Sequence, residues 1–118
     1  MKITVPISVG ELIDKITILE IKSLFTDDKY VERELIELNS IKNTLTQYTL
    51  VYEFQLKKIN EKLWKTEDKL RKLEREQRFD SEFIELARSV YIINDERAKI
   101  KKEINEQTNS TYREIKLY

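Results

Sequence analysis

An arginine and a lysine interrupt an apolar stripe in the C-terminal part of the chain. The stripe follows spacings of four and three, which place its members on one face of a helix: Phe83, Ala87, Val90, Asn94, Arg97, Lys101 and Ile104. A guanidinium drawn into an apolar interior needs a carboxylate beside it, because an unpaired buried charge is very costly. Asp95 is unsuited to this role, because residues two apart point to different sides of a helix.

Carboxylates for Arg97 are available on two other predicted helices. Asp14 lies among isoleucines near the N-terminus, whereas Glu67 and Arg71 follow a leucine seam in the middle of the chain. We therefore predict one polar cluster between helices. Its members are Asp14, Glu67, Arg71, Asn94, Arg97 and Lys101.

Two interpretations of this cluster are open. In the first, it is an internal network of salt bridges that fixes the register of the helices, as paired buried charges do in other bundles. In the second, it is a pocket whose cationic groups bind a small anion, such as a carboxylate or phosphate, or stabilise charge that develops in a reaction. The first interpretation is preferred, because paired buried charges often serve register in helical bundles.

The chain contains neither histidine nor cysteine. Disulfides, zinc sites, thiol nucleophiles and imidazole bases are therefore excluded. A site for Mg²⁺ or Ca²⁺ built from carboxylates alone is still open, but no Asp-rich loop of the EF-hand kind occurs. We expect no metal and no cofactor, and we assign no catalytic residue. A metal-free enzyme is the less favoured alternative.

Charge is abundant but balanced. Charged side chains make up 37% of the 118 residues, yet 22 basic residues offset 22 acidic ones. Long-range attraction to phosphate or anionic lipid scales with uncompensated charge, so neither nucleic acid nor a membrane is the expected partner. With no long apolar run and no N-terminal targeting pattern, the expected location is the cytoplasm.

The elements that must position the cluster are helices, since the chain has a single Gly and a single Pro to punctuate it. The first is predicted from Val9 to about Leu24, with Ser8 as N-cap and Glu11 completing a capping box. Its isoleucines and leucines cover most of its circumference. A helix that is apolar nearly all round belongs at the centre of a bundle.

Three further helices follow. The second begins after the capping residues Thr26 to Asp28. The segment from Thr44 to Val51 is rich in β-branched residues, which predicts a bend or tight connection, with one continuous helix as the alternative. The third keeps a four–three spacing over three heptads, typical of antiparallel hairpins and coiled coils, and ends near Gln77. Its apolar seam is Tyr52, Leu56, Ile59, Leu63, Thr66, Leu70 and Leu73.

Beside that seam, Trp64 is expected to anchor the core rather than to stack on a ligand. The fourth helix is capped by Asp80 and runs to about Asn105. Apolar and polar residues alternate from Met1 to Ile7 and from Tyr112 to Tyr118, which predicts short terminal strands that pair with each other, within the chain or across a dimer. The expected fold is thus all-α: one domain, residues 1–118, built as a bundle of long antiparallel helices.

The sequence also resembles a known family. The segments VPISVGELIDKITILEIK, NEKLWKTEDKLR and FIELARSVYIINDERAKIKKEIN, with a closing EIKLY, are similar to an uncharacterised family of small bacterial and phage proteins, a domain of unknown function. The resemblance implies a bacterial or phage source and transfers no site residues. A looser likeness is to the all-helical chorismate mutases, which bind a dicarboxylate between helices through Arg, Lys, Glu and Gln without metal. This second likeness is one of fold only, and no residue is carried over.

We accordingly expect a non-enzymatic structural or protein-interaction module, with a homodimer or an unidentified protein as partner. The alternative is a protein that binds a small anion, or a metal-free enzyme, with the Arg97 cluster as its site.

Overall fold

The computed structural model of the protein describes residues 1–45 and 50–118. The helices in these residues are α1 (Val9–Ser23), α2 (Lys29–Lys42), α3 (Leu50–Arg75) and α4 (Ser81–Gln107). The predicted all-α fold is confirmed, and the helix bounds agree with the predicted ones to within about two residues. Because α2 ends at Lys42, α2 and α3 are separate helices. Residues 46–49 of the connection between them lie outside the described residues.

Helix α1 is the centre of the fold, as its apolar circumference predicted. Eight of its fifteen residues are buried, and it packs against α2, α3 and α4. Its first turn has the predicted N-cap, since Glu11 N donates to Ser8 Oγ at 3.1 Å. The Glu11 side chain, however, binds Lys101 and does not complete the predicted capping box. Helix α2 is similarly capped by Asp28, whose carboxylate accepts from Tyr30 N at 2.8 Å. Asp80 precedes α4 as predicted, but its side chain makes no capping hydrogen bond.

Helices α3 and α4 form an antiparallel hairpin. Helix α3 ends in a reversed turn in which Gln77 has a φ of +56°. Arg78 N donates to Leu73 O and Gln77 N donates to Glu74 O, which is the Schellman pattern of helix termination. The same pattern ends α4, with Asn109 at a φ of +49°. The predicted heptad seam of α3 faces inward, and each of its residues is buried or half-buried.

Helix α1 lies on this hairpin, parallel to α3 and antiparallel to α4. Ile13 packs against Leu56 of α3 and Ile104 of α4 in the central apolar cluster. Just beyond the end of α1, Phe25 stacks on Trp64 of α3 with ring centroids 5.3 Å apart. Trp64 thus packs on another side chain, but it is half-buried and Phe25 is 67% exposed, so the contact lies at the edge of the fold and not in the core where Trp64 was predicted. Helix α2 packs mainly on α1, and Lys42 at its end forms an ion pair with Glu53 of α3 at 3.1 Å; none of the described residues of α2 is buried.

The termini do not form the predicted pair of strands. Neither segment is a strand among the described residues. The two segments start close together, because Val9 N donates to Ser110 Oγ at 3.1 Å, but they then diverge. Lys2 reaches Glu37 on α2 at 2.9 Å, whereas Glu114 reaches Lys101 on α4 at 3.3 Å. Pairing within one chain is therefore prevented by the different helices over which the two ends run.

The molecule is elongated for its length. Its radius of gyration is 16.1 Å, whereas a globular chain of this size has about 13.5 Å. The reason is that α3 and α4 extend well beyond α1: at about 1.5 Å per residue, α3 is roughly 39 Å long and α1 roughly 22 Å. No helix within residues 1–45 and 50–118 has the length and apolar character needed to cross a membrane.

Candidate functional site

The Asp14 carboxylate is the centre of the polar cluster and is fully buried. Oδ1 accepts hydrogen bonds from Arg97 Nε and from Asn60 Nδ2, both at 2.9 Å. Oδ2 accepts from Arg97 Nη2, so the guanidinium binds the carboxylate through two parallel hydrogen bonds. This bidentate geometry is the strongest form of a charged hydrogen bond in proteins. It joins α1 directly to α4.

Arg97 is half-buried, and its remaining terminal nitrogen, Nη1, points toward Asn94 Oδ1 at 3.4 Å. The hydrogen bonding that Arg97 donates to Asp14 raises the pKa of Arg97, and this effect outweighs the opposing effect of burial. The guanidinium therefore remains charged at every physiological pH. A permanently charged group against a buried carboxylate is a structural pairing that needs no further counter-ion.

Asn60 connects the ion pair to α3. Its side-chain nitrogen donates both to Asp14 Oδ1 and to Thr17 Oγ1, each at 2.9 Å. Thr17 Oγ1 in turn donates to the backbone carbonyl of Asp14 at 2.8 Å. Within the described residues, no buried side-chain nitrogen or oxygen lacks a hydrogen-bond partner. The network is thus complete, which is the condition under which buried polar groups fix a unique packing.

Lys101 lies one helical turn beyond Arg97 and faces the same carboxylate. Its Nζ is 2.7 Å from Glu11 Oε2, 3.3 Å from Glu114 Oε2 and 4.0 Å from Asp14 Oδ2. Lys101 therefore ties α4 both to the first turn of α1 and to the C-terminal segment. Its ammonium is nearly buried and is surrounded by acidic groups.

The structure brings together Asp14, Asn94, Arg97 and Lys101 of the six predicted site residues. Glu67 and Arg71 are exposed and form no hydrogen bond or ion pair with these four. Glu67 lies seven residues beyond Asn60, which is about 10 Å farther along α3. Phe25, which follows the end of α1, contacts Trp64 of α3. Glu67 lies three residues beyond Trp64 and therefore has no part of α1 beside it. The predicted inclusion of Glu67 and Arg71 in one cluster is therefore not supported.

Sequence reasoning missed Asn60, Thr17 and Glu11 as members of the network. Asn60 lies on the same helical stripe as Glu67. Of the two, Asn60 has the more apolar neighbours, since it lies between Ile59 and the seam residue Leu63. Glu11 lies three residues before Asp14 and thus on the same face of α1. An amide among apolar neighbours, one turn of helix from a predicted buried charge, is the signal that could have identified Asn60.

A glycine allows α1 and α4 to approach closely beside the network. A Cβ on Gly10 would lie 2.6 Å from the backbone oxygen of Lys101. Gly10 N donates to Asn105 Oδ1 at 2.7 Å, so an α4 side chain satisfies a free N–H in the first turn of α1. Ser110 does the same for Val9 N. The start of α1 is therefore anchored to the end of α4.

A groove of about 730 Å³ lies between α4 and the C-terminal segment. Its walls include the Arg97 and Lys101 side chains on α4 and Glu114, Lys116 and Tyr118 on the segment. Hydrogen bonds from Lys116 and from Lys101 lower the pKa of Glu114. Lys116 also forms an ion pair with Glu114. Each cation that borders the groove therefore has a carboxylate partner already.

The chemistry that this arrangement allows is limited. Both oxygens of Asp14 are engaged, so the carboxylate is not free to act as a base. Across the described part of the chain, no set of three or more acidic side chains is placed to hold a metal ion. The arrangement connects three helices and borders an open groove, and its cations are neutralised by the protein itself.

Comparison with known proteins places the chain in a family. No curated protein and no solved structure matches it. The family of unknown function DUF6165 matches it over residues 1–118, as the resemblance of its three long segments implied. The protein belongs to that family.

Proposed function

We propose that this protein is a cytoplasmic, non-enzymatic interaction module that works through its exposed apolar side chains. The observation that carries the proposal is the distribution of apolar residues. Among the described residues, twenty large apolar side chains are exposed, whereas only nine apolar side chains are buried. Exposed apolar surface, where it is extensive, marks sites of interaction with other proteins.

The Arg97–Asp14 network supports a scaffold role for the interior. Its charges are paired with each other and its buried polar atoms are satisfied, so it holds three helices in one register. A rigid bundle of this kind presents side chains at fixed positions. The buried network therefore stabilises the helix packing, and the exposed apolar residues bind the partner.

Site-specific photo-cross-linking in cells tests the interaction function. A cross-linking amino acid is placed at Ile36, which is exposed and apolar on α2, and separately at Lys65, which is exposed on the charged surface of α3. We expect discrete adducts at Ile36, either with a second copy or with another protein, and few at Lys65. Equal yields at the two positions, or no adduct at either, would contradict an interaction role for the apolar surface.

Binding of a small carboxylate or phosphate is a second candidate function. The observation in its favour is the groove beside Arg97, Lys101 and Lys116. It ranks lower because an anion would have to displace Glu114 from Lys101 and Lys116. A metal-free enzyme would need the same groove for its substrate.

Thermal unfolding in the presence of citrate or inorganic phosphate tests this second candidate. Binding would raise the midpoint of the intact protein and would raise it less in a Lys116→Ala variant. A shift that is the same in both proteins would be a general salt effect and would exclude the groove as the site.

A further inference from the structure

The C-terminal segment, residues 112–118, has two distinct sides. Glu114, Lys116 and Tyr118 line the groove on α4, whereas Ile115 and Leu117 point away from it and are 75% and 94% exposed. Alternation with a period of two is the property of an extended strand. The side chains of the segment therefore alternate as those of a strand do, although the segment is not a strand among the described residues.

One backbone group of this segment is paired within the chain: Tyr112 O accepts a hydrogen bond from Ser110 Oγ at 2.8 Å. Within the part of the chain that the structure describes, no backbone N–H of residues 111–118 donates to a backbone carbonyl. A strand with free N–H and C=O groups on its edges is a template for a second strand.

The sequence of the segment is complementary to itself in one antiparallel register. With Ile115 opposite Ile115 of a second copy, Glu114 lies opposite the second copy's Lys116, and Lys116 lies opposite its Glu114. Tyr112 of each copy then lies opposite Tyr118 of the other copy. Opposite charges and aromatic rings placed directly across two strands are stabilising pairs.

Neighbouring registers lack this fit. If the second strand is shifted by two residues in one direction, Glu114 lies opposite Glu114 of the second copy. If it is shifted by two residues in the other direction, Lys116 lies opposite Lys116. A parallel, in-register arrangement also places like charges together, which is destabilising. A move by one position would turn each side chain to the opposite face of the pair. One register is therefore selected by charge.

The N-terminal arm, residues 1–7, is a poorer partner for the segment. It contains no acidic residue to pair with Lys116, and Pro6 has no backbone N–H to donate. A second copy of residues 112–118 is the better occupant of the free edge.

The surface area of the chain leaves room for a dimer interface. The accessible surface is 8809 Å², whereas a folded monomer of 14.3 kDa has about 6,800 Å². A stable interface takes about 800 Å² from each partner, and the excess here is larger than that. The exposed area is thus sufficient for the two copies to bury more than the paired segments alone.

We propose that two copies of this protein form a symmetric dimer in which residues 112–118 pair antiparallel about a two-fold axis at Ile115. This inference rests on the proposed interaction function and specifies one partner for it. The two tails form a two-stranded ribbon whose Glu114, Lys116 and Tyr118 face packs on the α4 helices. An interface of this kind is isologous and closes at two copies.

Cysteine substitutions in the full chain test the register, since the protein has no cysteine of its own. In the proposed dimer, the Cα atoms at position 115 lie about 5 Å apart, within the range of a disulfide. Those at position 117 lie roughly 13 Å apart, because four residues separate them along the strand. We therefore expect Ile115→Cys to form a covalent dimer at least about tenfold faster than Leu117→Cys under mild oxidation, because pairing raises the effective thiol concentration.

Leu117→Cys is a stringent control, because Leu117 is the more exposed of the two residues. Random collision would cross-link Leu117→Cys at least as fast as Ile115→Cys, and that result would overturn the proposed register. If the protein is oligomeric by light scattering but shows no preference for Ile115→Cys, the tail pairing is wrong and the interaction function stands. If it is monomeric and Ile36 gives no adduct, both proposals are wrong.

Charge reversal gives an independent test that does not depend on a disulfide. Glu114→Lys and Lys116→Glu each place like charges across the axis, so each variant should dimerise about tenfold more weakly than the unaltered protein. Mixing the two variants restores opposite charges at both pairs, and a heterodimer should form. Failure of the mixture to dimerise, while the unaltered protein does, would exclude the proposed pairing.

Discussion

The carboxylate of Asp14 on α1 and the guanidinium of Arg97 on α4 form a bidentate ion pair in which Nε lies 2.9 Å from Oδ1. Eighty-three positions separate these residues in the chain. Asn60 adds a hydrogen bond from α3, so one carboxylate joins three helices. The stability of the packing should depend strongly on this pair, and the effect can be measured.

Replacement of Arg97 by Met should destabilise the fold by about 3–5 kcal/mol, because Asp14 would remain buried without its cation. Adding Asp14→Asn should recover most of that loss, since a neutral amide can still bond to Asn60. The free energy of unfolding in urea measures both changes. Arg88→Met, at an exposed position of α4, is the matched control and should change stability by less than about 0.5 kcal/mol. Equal losses for Arg97→Met and Arg88→Met would refute a structural role for the pair.

Gly10→Ala should destabilise the protein by about 1–3 kcal/mol, the usual cost of overpacking. The added Cβ would lie 2.6 Å from the backbone oxygen of Lys101, and backbone cannot move aside easily. By helix propensity alone the same change would stabilise α1 by about 1 kcal/mol. The sign of the change in unfolding free energy therefore decides whether the close approach of α1 and α4 is present. Lys22→Ala, at an exposed position of α1, serves as the control.

Gln77→Gly should stabilise the protein by about 1 kcal/mol. Gln77 has a left-handed backbone, which a side chain disfavours and glycine does not. Gln107→Gly, inside the last turn of α4, should have the opposite effect, because glycine weakens a helix. The difference between the two variants in thermal unfolding tests the reversed turn that ends α3. If both are destabilising, the turn is not left-handed.

The pKa of the Glu114 carboxyl should be below its ordinary value, because Lys116 and then Lys101 bind its charged form. A group whose pKa is lowered by folding adds stability above its unfolded pKa and loses it as the pH falls through its folded pKa. We therefore expect part of the acid sensitivity of the protein, at pH values below the ordinary range for glutamate, to disappear in Glu114→Gln. Titration of the carboxyl by NMR gives the pKa directly. An unchanged value in Lys101→Met and Lys116→Met would contradict the two contacts.

Periodicity predicted much of the local structure correctly. The cap at Ser8, the central position of α1 and the inward seam of α3 each follow from residues that lie within one or two helical turns of each other. The presence of Arg97 at the edge of the core followed in the same way, because a stripe with spacings of four and three defines one face of a helix. Its need for a carboxylate was a matter of solvation and could be stated before any fold was known.

The choice of that carboxylate was made by the tertiary structure. Helical periodicity gives the direction of a side chain around the helix axis. It does not give the axial offset between two packed helices, that is, which residues of one helix lie beside which residues of the other. That offset depends on how α1 seats on the α3–α4 hairpin, with Gly10 against Lys101 and Phe25 against Trp64. Asp14 lies beside Arg97 and is buried. Glu67 lies on α3 beyond the end of α1 and is exposed to solvent. The axial offset between the helices therefore decided which of the two predicted carboxylates pairs with Arg97.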